Sequence, residues 1–154
     1  TLISARTLDK SISFPKHSFD GKYLMFTLSD YGNFSIWHKE ADLWLLDLKT
    51  GAYRNLEEVN SDDTESYHNW SSNSHWFVFS SRRGDGLYTR LYIASVDKQG
   101  RIGKPFLLPQ QDPYIFYDQL IYSYNVPEFV SAPVQWDKRE IAKGLMSKER
   151  VKVK

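Results

Sequence analysis

Two stretches of this sequence resemble each other closely enough to define an internal repeat. Residues 17–27 (HSFDGKYLMFT) align with residues 70–80 (WSSNSHWFVFS) at a constant offset of 53 positions. Each copy then reaches a second hydrophobic stretch, at 42–48 in the first copy and 90–96 in the second, offset by 48 positions. Such a β-rich unit is typical of a propeller blade. The repeat predicts an all-β fold: a partial β-propeller with two recognisable four-stranded blades and an irregular C-terminal segment.

The strands of each copy are recognisable from their side chains. Residues 23–27 (YLMFT) and 76–80 (WFVFS) are too apolar to leave one face in water, which favours sheets covered on both sides. Aromatic residues make up 16% of the chain and favour strands over helices. Before the first of these strands, Asp20 and Gly21 supply the left-handed backbone that a tight turn needs. Each copy therefore predicts a sheet whose central strand follows a tight turn.

Turn signals and composition divide the chain into five segments. We predict a partial strand of a preceding blade, a first blade, a second blade, a closing segment and a charged tail, at residues 1–12, 13–61, 62–110, 111–135 and 136–154 respectively. In the tail, residues 139–149 can form a short helix that Gly144 interrupts. The acidic stretch 60–65 is expected to be a solvent-exposed linker between the blades.

The number of blades is small for a ring. Propellers close with roughly 4 to 8 blades, whereas two repeats leave open sheet edges that invite pairing with another chain. The chain also begins at Thr1 without an initiator Met. We therefore expect either a piece of a longer polypeptide or self-association through the open blade edges.

Composition argues against several functional classes. The formal net charge of +1 provides no field that would attract nucleic acid. The chain has no Cys, which excludes disulfides, thiolate nucleophiles and Cys-ligated zinc. No apolar run approaches the ~18 residues that a membrane span requires, and no signal peptide is visible. We predict no nucleic-acid partner and no membrane span.

The two copies resemble the WD-like propeller repeat of the TolB-type family. The family consensus begins Trp-Ser-Pro-Asp-Gly-Lys, which residues 18–22 (SFDGK) and 70–73 (WSSN) match in part. It continues with Phe-x-Ser, Arg and Gly, matched by residues 79–84 (FSSRRG), and then with a strand of Leu/Ile-Tyr-hydrophobic type, matched by 42–44 and 91–93. The match covers about two thirds of the chain and is more specific for a propeller than for any function.

The resemblance implies a function through protein contacts. TolB-like proteins are bacterial and commonly exported to the periplasm, so we expect a non-catalytic protein-binding or scaffold module, without a cofactor, in the periplasm or cell envelope. The same repeats occur in carbohydrate-active proteins and in serine peptidases of the prolyl oligopeptidase type. Two alternatives therefore stay open: a glycan-binding or glycan-processing propeller, and the gating propeller of such a peptidase. His17, Phe19 and Ser72 depart from the consensus and leave the subfamily undefined.

Four residues are candidate ligand-binding positions: His68, Arg82, Arg83 and Tyr117. The two arginines lie in a Gly-rich loop and offer planar donors to a carboxylate or phosphate, although they can equally satisfy strand-end carbonyls or Asp85. Tyr117 belongs to an aromatic stretch, residues 114–129, that can stack on a sugar or a peptide or pack against strands.

Metal binding and catalysis are not predicted. His68 lies near the acidic stretch 60–65, but the spacing is not that of a cation-binding loop, and the four histidines show no metal-site spacing. No Gly-x-Ser-x-Gly elbow is present. We therefore assign no catalytic residue and no metal ligand.

Overall fold

The computed structural model describes residues 1–133 and 135–147. It contains two four-stranded antiparallel sheets, each with its strands in sequence order. The first sheet comprises β1 (Ser11–His17), β2 (Tyr23–Ser29), β3 (Asp42–Asp47) and β4 (Tyr53–Asn55). The second comprises β5 (Glu65–Trp70), β6 (Trp76–Ser81), β7 (Arg90–Ser95) and β8 (Phe106–Leu107). The helices are α1 (Ala5–Leu8), α2 (Pro113–Asp118), α3 (Lys138–Met146) and a 3-10 helix (Ser35–Trp37).

This arrangement confirms the predicted all-β class and agrees with two partial propeller blades. Each sheet is a simple meander, and the two sheets remain separate instead of merging into one. Within the described ranges the sheets do not close into a barrel. No helix among those residues is long and apolar enough to cross a membrane.

The repeat is visible in the turns that precede β2 and β6. Ser18 Oγ donates to Asp20 Oδ1 at 2.7 Å, and Ser71 Oγ donates to Asn73 Oδ1 at the same distance. The two turns also meet, because the backbone N–H of Asp20 donates to Ser74 Oγ at 2.9 Å. Equivalent local sequences thus form equivalent turns, which contact each other where the sheets meet.

The main core lies between the two sheets. Met25 from β2 and Phe77 and Phe79 from β6 are fully buried there. Trp70 from β5 joins them, and its indole N–H donates to the carbonyl oxygen of Lys16 at 3.1 Å. The remaining members of this core are Leu43, Leu45, Leu56, Val59, Ala94 and Val96. Burial of these side chains against a neighbouring sheet is the main stabilisation of a blade.

The N-terminal residues pack on the outer face of the first sheet, and their structure differs from the prediction. A second apolar cluster of Phe26, Leu28 and Leu46 lies on this face, and Ile3 and Leu8 pack against it. Residues 1–12 were expected to form a strand of a preceding blade, but they contain α1 and the first two residues of β1. That strand pairs with β2 of the first sheet. The short helix covers an apolar surface that would otherwise face water.

The C-terminal segment contacts the outer face of the second sheet at the end of β6. Side chains alternate along β6, so Ser80 faces away from the core that holds Phe79. Ser80 Oγ lies 2.8 Å and 2.7 Å from the carbonyl oxygens of Tyr124 and Asn125. We call residues 117–128 the strap, because they hydrogen-bond to Ser80 at the end of β6 and to Thr89 and Arg90 at the start of β7.

Two further expectations need correction. The acidic stretch 60–65 is not a solvent-exposed linker, since Asp63 and Glu65 are buried and Glu65 begins β5. The predicted tail helix forms as α3 and continues through Gly144 instead of breaking there. Residues 148 and 149, also predicted as helical, lie outside the described residues.

Candidate functional site

The connection between β6 and β7, residues 82–89, separates two cavities on the loop end of the sheets. We call it the central loop. The first cavity, of about 260 Å³, lies between this loop and the 3-10 helix and is named here the Trp37 cavity. The second, of about 550 Å³, lies between this loop and α2 and is named the Tyr114 cavity.

A buried ion pair holds the start of the central loop. Arg82 donates through Nε and Nη2 to Asp63 Oδ1, both at 3.2 Å. The guanidinium also lies 5.2 Å from the ring centroid of Trp37, a cation-π distance. Arg82 therefore connects the linker between the blades to the rim of the Trp37 cavity.

A second ion pair joins Arg83 to Glu65. Glu65 is fully buried, and its Oε1 accepts from Arg83 Nη2 at 2.8 Å and from the hydroxyls of Ser61 and Ser81 at 2.7 Å each. Burial raises the pKa of the Glu65 carboxyl, while the hydrogen bond from Ser61 and the charge of Arg83 oppose the rise. Arg83 also donates to the carbonyl oxygen of Val59 at 2.6 Å. Its hydrogen bonds thus hold the chain between the two blades.

His68 lies in β5 and is only 2% exposed. Its Nε2 is 3.0 Å from the carbonyl oxygen of Met25 on β2, so the N–H at this position donates across the two sheets. Burial lowers the pKa of His68 to about 4. The neutral ring therefore bonds one sheet to the other and is not available at the surface.

The rim of the Trp37 cavity is apolar and exposed. Phe34 is 72% exposed, Trp37 68% and Leu87 67%. All three line the same concavity, whose buried wall includes Arg82 and Thr89. Large apolar side chains that are exposed and clustered indicate an interaction surface, whereas isolated ones do not.

The backbone is strained at two residues that line this cavity. Phe34 has φ of 59° and Tyr67 has φ of 50°, in the left-handed region that bulky residues rarely occupy. Tyr67 lies at the bulge of β5, and Phe14 occupies the equivalent bulge of β1 with φ of 53°. Their rings pack together at 4.8 Å between centroids. The strain at Tyr67 therefore belongs to the repeat. In the connection equivalent to that of Phe34, the second copy has a glycine, Gly86, in the left-handed region, so only the first copy places a bulky residue there.

Aromatic side chains also surround the Tyr114 cavity. Tyr92 from β7 and Tyr114 and Tyr117 from α2 line it, and the hydroxyl of Tyr117 donates to the carbonyl oxygen of Leu108 at 2.6 Å. Arg90 lies in its wall and pairs with Asp85 at 3.3 Å. This cavity is larger than the first and carries more polar groups.

Arg90 also fixes the strap behind the Tyr114 cavity. Its guanidinium donates to the carbonyl oxygens of Leu120 and Tyr122, both at 3.0 Å, and to that of Tyr117 at 3.4 Å. One buried guanidinium thus donates to three carbonyl oxygens, because arginine carries five N–H donors in a planar group.

The four predicted ligand-binding residues are not brought together. Arg82 lines the Trp37 cavity and Tyr117 lines the Tyr114 cavity, whereas Arg83 and His68 lie behind them with internal partners. Asp85 pairs with Arg90 and not with either candidate arginine. Their proposed ligand-binding roles remain predictions.

Sequence reasoning did not single out the rim residues Phe34, Trp37 and Leu87, or Tyr92 of the second cavity. The one available signal was the extra length of the first copy between its strands, where Phe34 and Trp37 lie. An insertion in a loop of one repeat is a common place for function. Exposure itself cannot be read from residue type.

No protein-family model matches the chain, and no curated protein matches it. Among solved structures it is similar to a chain from a study of two prolyl endopeptidases, with 15% sequence identity and a TM-score of 0.33. The likeness covers 70% of this chain and 22% of that chain.

Proposed function

We propose that this chain is a non-catalytic protein-binding module, and that it engages its partner through the rim of the Trp37 cavity. The observation that carries the proposal is the convergence of Phe34, Trp37 and Leu87, each about two thirds exposed or more, around one concave site of about 260 Å³. Aromatic anchors in or beside a pocket supply most of the affinity in many protein interfaces.

The rim is held in place before a partner arrives. Phe34 and Trp37 come from the connection between β2 and β3, where the 3-10 helix begins directly after Phe34. Leu87 comes from the central loop, whose turn is closed by Asp85 Oδ1, which accepts from the backbone N–H groups of Leu87 and Tyr88 at 2.8 Å each. A surface that is already ordered loses less conformational entropy on binding, so more of the contact energy appears as affinity.

The environment of the rim favours a protein partner with an apolar side chain. The charge of Arg82 is paired with Asp63, and its guanidinium lies against Trp37, so no unpaired cation remains among the described residues of the wall to attract an anion. A partner side chain that enters between the rim residues would bury apolar surface on both sides, which is favourable by about 25 cal/mol per Å².

The cellular setting is part of the proposal. The resemblance to TolB-type repeats supports a bacterial exported protein in the periplasm or cell envelope. Fractionation of cells that express the full-length protein tests this location, and recovery in the cytoplasmic fraction alone would contradict it.

The binding role is tested by changing the rim. We expect Trp37→Ala, alone and combined with Leu87→Ala, to reduce chemical cross-linking of the full-length protein to its partner in an envelope extract of the source organism. Loss of one aromatic hot-spot residue costs about 2 kcal/mol or more, which is roughly 30-fold in affinity. Quantitative mass spectrometry of the cross-linked proteins gives the measurement.

Trp136→Ala is the matched control. Trp136 is also exposed, lies just before α3 and is not among the described residues that line the Trp37 cavity. It should leave the cross-linked proteins unchanged, and all variants should keep the thermal midpoint of the parent. Identical cross-linking by Trp37→Ala and the parent would contradict the proposal.

A further inference from the structure

We propose that the Tyr114 cavity binds a neutral saccharide, independently of the protein partner at the rim. The cavity has about 550 Å³, within the range of roughly 300 to 1,000 Å³ that is usual for small-molecule sites. Its lining combines aromatic faces with a few polar groups, which is the composition that such sites share.

The rings offer stacking surfaces for the apolar C–H face of a sugar. Tyr114 is 87% exposed on α2, which makes its ring an open platform. Tyr117, one turn further along the helix, is fixed by its hydrogen bond to the carbonyl oxygen of Leu108. Tyr92 forms the wall on the sheet side, where its ring packs against Phe79 with 5.8 Å between centroids and against the Arg83 guanidinium at 4.6 Å, so Tyr114 supplies the main free stacking surface. Rings held in place in this way bind at low entropic cost.

Polar groups that lack internal partners provide the hydrogen bonds. The Tyr92 hydroxyl has no hydrogen-bond partner within the described part of the chain, although the residue is partly buried. Burial raises the pKa of Tyr92, so the phenol stays protonated and can donate. Asp118 lines the cavity with no ion-pair partner among the described residues and can accept from a sugar hydroxyl. Together they provide a donor and an acceptor for a polyhydroxylated ligand.

The charges in the wall disfavour an anionic ligand. The Arg90 guanidinium is occupied by Asp85 and by carbonyl oxygens of the strap, so it offers little to an anion, which would also face Asp85 and Asp118. A neutral ligand with one apolar face and several hydroxyls avoids the repulsion that an anion would meet, and its hydroxyls can donate to Asp118.

Saturation-transfer NMR on the full-length protein tests this site. The probes are maltose, cellobiose, lactose and chitobiose, with glucuronate and glucosamine as charged counterparts, all at millimolar concentration. We expect saturation transfer to at least one neutral sugar. In Tyr114→Ala the affinity for that sugar should fall by about 3- to 10-fold, because one stacking surface is lost.

Three variants make the result specific. Tyr92→Phe, which removes only the hydroxyl, should also weaken binding. Tyr31→Ala, an exposed tyrosine away from this cavity, and Trp37→Ala at the rim should leave sugar binding unchanged. No saturation transfer to any neutral sugar, transfer to the charged sugars alone, or equal affinity in Tyr114→Ala and the parent would overturn the proposal.

Discussion

Glu65 is a buried carboxylate whose hydrogen bonds fix the chain where it enters β5. Its carboxylate satisfies Arg83 and two serine hydroxyls where β5 begins, while Arg83 stacks 4.6 Å from the ring centroid of Tyr92. The net value of a buried ion pair relative to an apolar pair is small, but removing one partner leaves the other charge uncompensated. Glu65 is therefore more important for the order of this region than its position in an acidic stretch suggests.

Replacing Glu65 by Gln should destabilise the protein strongly. The amide keeps the shape of the side chain but cannot compensate the charge of Arg83, so we expect a loss of about 3 kcal/mol in the free energy of unfolding. Urea denaturation followed by tryptophan fluorescence measures it. Glu57→Gln, at an exposed position nearby, should change the free energy by no more than about 0.5 kcal/mol. Equal losses in the two variants would show that Glu65 has no special role.

At the level of elements, the strap is attached to the second sheet through polar contacts. Arg90, Ser80 and Thr89 bind its backbone, and Thr89 Oγ1 also donates to Asn125 Oδ1 at 3.2 Å. Most of its large apolar side chains, among them Ile121 and Val126, remain exposed. Because apolar burial contributes little here, the hydrogen bonds determine how firmly the strap is held.

Arg90→Lys should loosen the strap without unfolding the sheets. An ammonium group cannot reach the carbonyl oxygens of Tyr117, Leu120 and Tyr122 together, since it lacks the planar fork of arginine. We expect hydrogen exchange to rise in residues 117–128 while β6 and its neighbours stay protected. Arg101→Lys, at a highly exposed ion pair, is the control. If hydrogen exchange in the strap is the same in Arg90→Lys as in the parent, the contacts of Ser80 and Thr89 are enough to hold the strap.

At the scale of the whole molecule, the two sheets are joined by apolar packing and by a few polar contacts that cross between them. His68 is one of these, because its ring on β5 bonds to the backbone of β2. The Nδ1 atom of His68 and the hydroxyl of Thr27 are buried without a hydrogen-bond partner in the described residues. The interface tolerates a neutral imidazole but not an additional charge.

This burial predicts a pH dependence of global stability. The pKa of His68 falls from its usual 6.5 to about 4 on folding, so the unfolded chain binds the proton more tightly. The stability that depends on a neutral His68 is fully present above about pH 6.5 and is lost as the pH falls towards about 4. At about pH 5 this effect should lower the free energy of unfolding by about 2 kcal/mol relative to neutral pH. Urea unfolding at about pH 7 and pH 5 measures it.

His68→Gln isolates this effect from the buried carboxyls. Burial raises the pKa of Asp42 and of Glu65, so their contributions change with pH in the opposite sense and partly mask that of His68. The variant should be less stable than the parent at neutral pH, because the buried ring is lost. The change in its free energy of unfolding from about pH 7 to about pH 5 should lack the loss of about 2 kcal/mol that His68 causes in the parent. The same pH dependence in both proteins would contradict the assignment.

Much of the fold could be predicted from the sequence, and less of the site. The apolar stretches that became β2 and β6, and the turns before them, were recognisable because their signals are local. The strand β5 was missed in part, since its first residue is a buried Glu whose partner Arg83 follows 18 positions later. α1 was missed because four residues carry too little periodicity to separate a helix from a strand.

By itself, the sequence determined the repeat, the positions of the central strands and the all-β class, because apolar stretches and turn residues act over a few positions. Only the tertiary structure decided that Asp63 and Glu65 lie buried beside arginines, and that Phe34, Trp37 and Leu87 share one rim. The physical reason is that desolvation and exposure depend on which distant segments pack together, and residue type does not specify that packing.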